Sequence, residues 1–389
     1  MHIALVSETY YPEINGVALT VQALVEQLLA IGERVSLVRP ERDQEVRDER
    51  CVLIETTVPG ARLPRYPELR FGLPVRGRLL KLWRVLKPDV IYIATEGPLG
   101  WAAMSAAKRL SIPVISGFHT RFDTYMAHYG WPWMERLAFA YLRSFHQRAA
   151  LTLVPTAALC TELRQRGLKN VECMPRAVDL QQFNPRFRST SLRLSWGVGS
   201  ADPVLICVGR IAPEKNLGLA IRAYAELRKT TPRAKMVMVG DGPLRGALSK
   251  LHPELIFTGT LRGQALAEAY ASADLFVFPS LSETFGNVTL EAMASALPVV
   301  AFDYGAAREH LADGLHGARV ALNNDDGFIR AVRGEAKLWS LGTRKGQAAR
   351  LALASLHPRQ LALGLLKRIT ELSTQKESSH GHDATRQMA

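Results

Sequence analysis

The sequence predicts an α/β protein built of two doubly wound parallel sheets. Three observations predict it. The chain has 389 residues, more than a single hydrophobic core usually serves. Short runs rich in Val and Ile alternate along it with helical patterns, the rhythm of βαβ units. That rhythm is broken once, where Pro175, Pro185, Gly197, Gly199 and Pro203 interrupt any regular pattern, and it then restarts.

Taken in order, the first series of strand-like runs is Ile3 to Val6, Val35 to Val38, Val90 to Ala94, Val114 to Gly117 and Leu151 to Pro155. An amphipathic helix from about Ala18 to Ala30 follows the first of them. The second series is Val204 to Gly209, Met236 to Gly240, Leu255 to Thr258, Leu275 to Pro279 and Val299 to Phe302. The hinge falls between Pro175 and Pro203. After Asn324 the pattern is helical to about Thr370, and Ser373 to Ala389 is polar, without apolar periodicity, and expected to be disordered. This divides the chain into 1–180, 181–355, a helix at 356–372 packing back on the first domain, and a tail at 373–389. Ligands of open α/β sheets sit beyond the carboxyl ends of the strands, so the expected cleft lies between two facing sheets.

The formal charge of +13 implies anionic partners. Much of it lies between Arg62 and Lys87, where Arg62, Arg65, Arg70, Arg76, Arg78, Lys81, Arg84 and Lys87 face a single acid, Glu68, with Leu79, Leu80, Leu82, Trp83 and Leu86 interleaved. Tyr129 to Arg148 likewise mixes Trp131, Trp133, Phe139, Tyr141 and Phe145 with Arg136, Arg143 and Arg148. Basic surfaces with interfacial aromatics suit anionic leaflets, although the same apolar residues serve equally well as core. No apolar run approaches the roughly 20 residues of a membrane span. No signal-peptide pattern precedes Ile3, so the expected location is cytoplasmic, peripheral at the inner face of the membrane. Cys51, Cys160, Cys173 and Cys207 are dispersed and form no metal or redox motif. No cofactor and no metal site is expected.

The candidate chemistry follows strands. Ser7-Glu8-Thr9 through Asn15-Gly16-Val17 closes the first strand, and Gly16 near the helix start lets backbone amides approach a phosphate. It lacks GxGxxG, which disfavours nicotinamide or flavin. Val208-Gly209-Arg210 through Glu214-Lys215-Asn216 follows a second-half strand, and Arg210 and Lys215 offer a planar fork and a point charge for a diphosphate. Pro279 to Ala294 is the most informative segment: Glu283 in a polar loop, amides at Phe285 and Gly286, then Asn287 and, about two helical turns on, Glu291. Carboxylates accept hydrogen bonds from sugar and ribose hydroxyls. His119, in Gly117-Phe118-His119-Thr120-Arg121-Phe122-Asp123, ends a first-half strand, with Arg121 and Asp123 as acceptor-side candidates.

Gly16, Val208 through Asn216, Val239-Gly240-Asp241-Gly242-Pro243 and Glu283 to Glu291, in this order, resemble the large retaining glycosyltransferase family that includes bacterial α-mannosyltransferases and glycosyl diacylglycerol synthases. The resemblance spans about residues 1 to 370. It implies the GT-B fold, two Rossmann-like domains facing an interdomain cleft, the first binding acceptor and the second a nucleotide sugar. It implies that Arg210 and Lys215 bind the donor diphosphate, Glu283 the sugar hydroxyls and Glu291 the ribose. Gly16, Phe285, Gly286 and Asn287 would surround phosphate and sugar, and Arg262 would lie near the base. It turns His119 from a structural residue into a catalytic candidate, its carbonyl near the anomeric centre. The family's usual Pro-Asn-Gly-Val-Asp reads Pro175-Arg176-Ala177-Val178-Asp179, which leaves the role of Arg176 open. The implied reaction transfers a hexose from GDP-mannose or a UDP-hexose to a lipid or glycolipid with retention, without metal or protein nucleophile. The competing readings are a transferase acting on a soluble polysaccharide, a nucleotide-sugar 2-epimerase and, remotely, a nucleic-acid-binding module; no nucleic-acid motif is present, so nucleic acid is not an expected partner.

Overall fold

The computed structural model describes residues 1–13, 15–42, 54–63, 66–121, 134–337 and 339–386. Its compact units are 1–176 with 358–389, and 177–357.

In the first unit the strands β1 (His2–Val6), β2 (Arg34–Pro40), β3 (Ile54–Val58), β6 (Val90–Ile93), β7 (Val114–Gly117), β8 (Leu151–Val154) and β9 (Val171–Cys173) form a parallel sheet ordered β3-β2-β1-β6-β7-β8-β9. A separate antiparallel hairpin, β4 (Gly60–Leu63) and β5 (Tyr66–Gly72), is inserted after β3. Every residue of β1, β6, β7 and β8 is buried, as expected for strands covered by helices on both faces. Ala4, Val6, Ile91 and Ile93 pack with Leu79 and Trp83 of α2 (Arg76–Leu86) and Leu99 and Ala103 of α3 (Pro98–Arg109). On α1 (Gly16–Ala30), Ala18, Val21, Leu24, Val25 and Leu28 form the buried stripe of an amphipathic helix. The remaining described α-helices of the first half are α4 (Met134–His146) and α5 (Ala157–Gln165).

The second unit opens with the short α6 (Thr190–Ser195). Its strands β10 (Val204–Val208), β11 (Lys235–Val239), β12 (Ile256–Gly259), β13 (Leu275–Phe278), β14 (Val299–Phe302) and β15 (Gly317–Val320) are ordered β12-β11-β10-β13-β14-β15. That is the doubly wound order in which the chain reverses direction between the first and fourth strands. Its helices are α7 (Leu217–Arg228), α8 (Arg245–Leu251), α9 (Gly263–Ser272), α10 (Asn287–Ala294), α11 (Gly305–His310), α12 (Asp325–Lys337) and α13 (Trp339–Ala352). Separate apolar clusters cover the two faces of the sheet, one around Ile206, Phe276 and Leu290, the other around Leu205, Val277 and Phe328.

The last helix, α14 (Pro358–Arg386), groups with the first unit, packs against α1 and is anchored by Arg368, which donates to the Cys173 carbonyl at 2.8 Å. It continues through most of the segment whose composition suggested disorder. The polar residues there still have a helical backbone, since helix needs no buried face once an anchored turn has nucleated it.

Candidate active site

The switch point of the second sheet, between β10 and β13, gathers Arg210, Lys215 and Glu283 of the charged residues that the sequence singled out. Both strands end at the same edge, so the loops that follow them are neighbours. The β10 loop is held by backbone contact with the β11 loop: the Gly209 amide donates to Val239 O at 3.0 Å and the Ile211 amide to Asp241 O at 2.8 Å. A Cβ on Gly240 would stand 2.0 Å from the Gly209 carbonyl oxygen, at φ +135. Only glycine admits that approach.

From this loop Arg210 donates to Glu214 Oε1 at 2.6 Å, one turn further along. Glu214 is 5 % exposed, and its second oxygen has no hydrogen-bond partner among the described residues. Lys215 pairs with Oε1 of Glu283 in the β13 loop, and that oxygen also accepts from Ser280 Oγ at 2.8 Å. The Lys215 ammonium stands 5.6 Å from the centre of the Phe278 ring. Two small recesses flank this ion pair: one is lined by Gly209, Arg210, Lys215 and Phe278, the other by Ser280, Glu283, Phe285 and Tyr304.

Gly286 at φ +91 is the N-cap of α10 and provides no capping side chain. The first-turn amides of α10 are therefore not answered by a cap, the arrangement that suits a phosphate. The Phe285 ring is buried in the core, edge-on to His310, so Phe285 reaches the site through its backbone alone. Asn287 opens the helix. On its next turns Glu291 accepts from Tyr270 Oη at 2.9 Å. Burial raises the Glu291 carboxyl to about 7 against the lowering effect of that bond. Arg262 is exposed at the N-cap of α9 and makes no hydrogen bond to Arg210, Lys215, Glu283 or Glu291 among the described residues.

The first unit arranges its candidates differently. At the start of α1, Asn15 Oδ1 already accepts from the amides of Val17 at 3.1 Å and Ala18 at 2.8 Å. The freedom expected of the amides beside Gly16 is thus reduced by the helix's own cap. His119 folds back over the end of β7: its Nε2 lies 2.9 Å from the Tyr92 hydroxyl, and Arg176 Nη2 donates to its Nδ1 at 2.5 Å. Burial lowers the His119 pKa well below the ordinary histidine value, and the charge of Arg176 and the neighbouring His146 lower it further. Arg121 turns its fork to Glu162 of α5, with bonds of 2.7 and 2.8 Å, and is 9 % exposed. Asp123 lies outside the described residues.

A Glu96–His146–Ser116 row looks superficially like a nucleophile triad, with His146 3.0 Å from Glu96 and 2.9 Å from Ser116. All three are at most 4 % exposed, and the row ties β7 to α4 rather than facing substrate. Among the described residues no group of His, Cys, Asp and Glu could hold a metal ion.

Comparisons with known proteins bear on the family and the fold. The family described as Glycosyltransferase Family 4 matches residues 14–182, and Glycosyl transferases group 1 matches residues 202–334. A GDP-mannose-dependent alpha-mannosyltransferase of Mycobacterium tuberculosis is 35% identical over 79% of this chain and 81% of its own. The chain belongs to glycosyltransferase family 4. An alpha-monoglucosyldiacylglycerol synthase of Streptococcus pneumoniae is 27% identical over 82% of the transferase and 75% of its own chain. The sucrose-phosphate synthase of Thermosynechococcus elongatus superposes with a TM-score of 0.75 at 18% identity, covering 96% of this transferase and 99% of that chain. The fold class is GT-B, two Rossmann-like parallel-sheet domains in one chain.

Part of the surface assigned to the membrane from sequence belongs to the core of the transferase. Leu79 and Trp83 face inward from α2, and Phe139 and Phe145 face inward from α4. What α2 exposes is basic: Arg76, Arg78, Lys81, Arg84 and Lys87, with Val85 among them. On α4 the exposed side is Arg136, Leu137, Tyr141 and Arg143. Trp131 and Trp133 lie outside the described residues. No described helix is long and apolar enough to cross a membrane.

Sequence reasoning passed over several contributors. Glu8, 8 % exposed at the end of β1, accepts the amides of Gly72 and, at 3.0 Å, Leu99, and burial raises it to about 7 against those bonds. A Cβ on Gly97 would lie 2.2 Å from its Oε1. Glu214 carried a signal in its four-residue spacing from Arg210. Tyr92 carried none, since within an apolar strand run its hydroxyl reads as incidental.

Proposed function

We propose that this glycosyltransferase moves a hexose from a nucleotide diphosphate sugar, GDP-mannose or a UDP-hexose, to a lipid or glycolipid at an anionic membrane surface, with retention. The observation that carries the reading is the gathering of Arg210, Lys215, Glu283 and the uncapped start of α10 at one switch point. Diphosphate oxygens displace Glu214 and Glu283 as partners of the two cations, and the α10 amides donate hydrogen bonds to the remaining phosphate oxygens. Glu283 then turns to the sugar hydroxyls and Glu291 to the ribose, both as acceptors.

In the reaction the bond from the anomeric carbon to the phosphate oxygen breaks, and its electrons leave with the diphosphate. The acceptor hydroxyl attacks the same face of the oxocarbenium-like sugar and passes its proton to the departing phosphate oxygen. Arg210 and Lys215 stabilise that leaving charge, so the reading needs no metal. The relatives named for GDP-mannose and for monoglucosyldiacylglycerol support a hexose donor and a lipid acceptor. The reading includes peripheral attachment at the cytoplasmic leaflet, supported by the exposed basic side of α2 and the Leu137–Tyr141 side of α4.

The test incubates the full chain with each nucleotide sugar and anionic vesicles carrying diacylglycerol or a phosphoinositide, with excess chelator. An α-linked glycolipid formed at undiminished rate is expected. A donor consumed without any glycosylated lipid, with free sugar or epimer as product, contradicts the reading in favour of an epimerase or hydrolase. Transfer only to a soluble polysaccharide contradicts the lipid acceptor.

A further inference from the structure

We infer that Arg176 is a positioning residue that fixes His119 as a neutral Nε2–H imidazole with both ring nitrogens committed, and so removes it from proton transfer. The inference rests on the reading of His119 as an active-site residue and deepens it.

The geometry allows one hydrogen-bond order. A guanidinium has donors and no acceptor, so at 2.5 Å Arg176 Nη2 must donate and His119 Nδ1 must accept. A neutral imidazole whose Nδ1 accepts carries its proton on Nε2, and that N–H donates to the Tyr92 hydroxyl oxygen at 2.9 Å. Neither nitrogen is left to accept a proton from a substrate hydroxyl.

The surroundings hold the ring in this state. Arg176 is 7 % exposed, forms no salt bridge and keeps Nε without a hydrogen-bond partner among the described residues. An imidazolium would face this uncompensated buried cation directly, which is the like-charge contact that disfavours protonation. Among the described residues the other titratable groups around the ring are Tyr92 from β6, with Glu96 beyond it, and His146 from α4. Glu96 is committed to His146 at 3.0 Å, so among the described residues no carboxylate offsets the guanidinium at the ring itself. A Cβ on Gly117 would stand 2.3 Å from His119 Nε2 and 2.5 Å from the Tyr92 hydroxyl, so the folded-back ring requires glycine there.

What remains for His119 is shape: a fixed ring plane and a fixed backbone at the end of β7. The acceptor's proton must therefore go elsewhere, which agrees with its transfer to the departing phosphate.

Nitrogen-15 NMR of histidine-labelled full-length protein reads the tautomer directly and needs no turnover. The expected result is Nδ1 unprotonated and Nε2 protonated from about pH 5 to about pH 8, with turnover showing no histidine limb in that range. In Arg176→Met the ring is expected to titrate at least about one unit higher, and kcat is expected to acquire an acid limb while KM for the donor holds. A wild-type ring protonated on Nδ1, or titrating near 6.5, overturns the inference, as does an Arg176→Met ring titrating like the wild type. Should Arg176→Met not fold, Tyr92→Phe serves: loss of the Tyr92 contact must leave Nδ1 unprotonated, and a proton arriving on Nδ1 overturns the inference. Absence of any glycosyl transfer would sink the proposed function and leave the tautomer result standing; normal transfer with a freely titrating His119 would do the reverse.

Discussion

The two units share a parallel doubly wound sheet but treat charge in opposite ways at the ends of their strands. In the second unit the charges are paired to one another near the surface: Lys215 and Glu283 have side-chain exposures of 17 and 16 %, and Arg210 is 36 % exposed beside Glu214. Its α10 begins without a side-chain cap. In the first unit the helix start at Gly16 is capped by Asn15, Glu8 is buried against backbone amides, and His119 is fixed between Tyr92 and Arg176. Ion pairs at intermediate exposure exchange partners at low cost, whereas buried groups held by several hydrogen bonds do not. One fold therefore provides a side built to trade partners with an anionic ligand and a side built to hold its geometry.

That contrast breaks most visibly if the exchangeable cations prove dispensable. Arg210→Ala and Lys215→Ala are each expected to lower kcat by about 10² to 10³, measured with saturating donor. A loss under threefold in both would mean that the second unit's charges are surface pairs only.

The backbone that carries those charges gives the next largest effect. Gly240→Ala puts a Cβ 2.0 Å from the Gly209 carbonyl oxygen at φ +135, and is expected to destabilise the chain by about 2–4 kcal/mol. Gly32→Ala in the first unit, at φ +89 with nothing within 4 Å, is expected to cost only about 1 kcal/mol. Thermal unfolding of the two variants separates close packing from backbone strain.

Glu291 sharpens the comparison through pH. Its carboxyl titrates at about 7 because burial disfavours the charge, so the ionised form that best accepts from a ribose hydroxyl is populated only above that value. Nucleotide affinity is expected to rise with pH by up to about tenfold per unit below 7 and to level above it. Glu291→Gln flattens the profile. An affinity that falls as pH rises has the wrong sign for this role.

The smallest expected effect concerns the membrane. Arg136→Ala and Arg143→Ala are each expected to weaken binding to anionic vesicles by about 1 kcal/mol, about fivefold, at low salt. Binding of the double variant as tight as that of the wild type at low salt would remove α4 from the contact.

Much of this was legible in the sequence, for physical reasons that can be named. Strands buried on both faces, such as Ile3 to Val6 and Val204 to Val208, read as apolar runs because nothing polar can replace them. The edge strands Ile54–Val58 and Gly317–Val320 escaped because they mix polar residues into a short span. Arg210, Lys215 and Glu283 stood out as candidates because charges in the loops after strands lie at the ligand edge of such a sheet, and Glu291 because it lies on the helix that the last of these loops opens. The His119–Tyr92–Arg176 cluster was not, since it joins three separate strand ends and only the topology brings them together. The division of Trp83 and Phe139 between core and membrane could not be read from composition, because interfacial and core residues are the same chemical types.

The central claim is that the paired charges of the second unit re-pair with a diphosphate, and calorimetric titration with GDP and UDP in excess chelator tests it most directly. The account predicts binding to the full chain that Lys215→Ala weakens by about 10- to 100-fold, with the nucleoside monophosphate binding far more weakly to both. Equal affinity of wild type and variant for the diphosphate would contradict it.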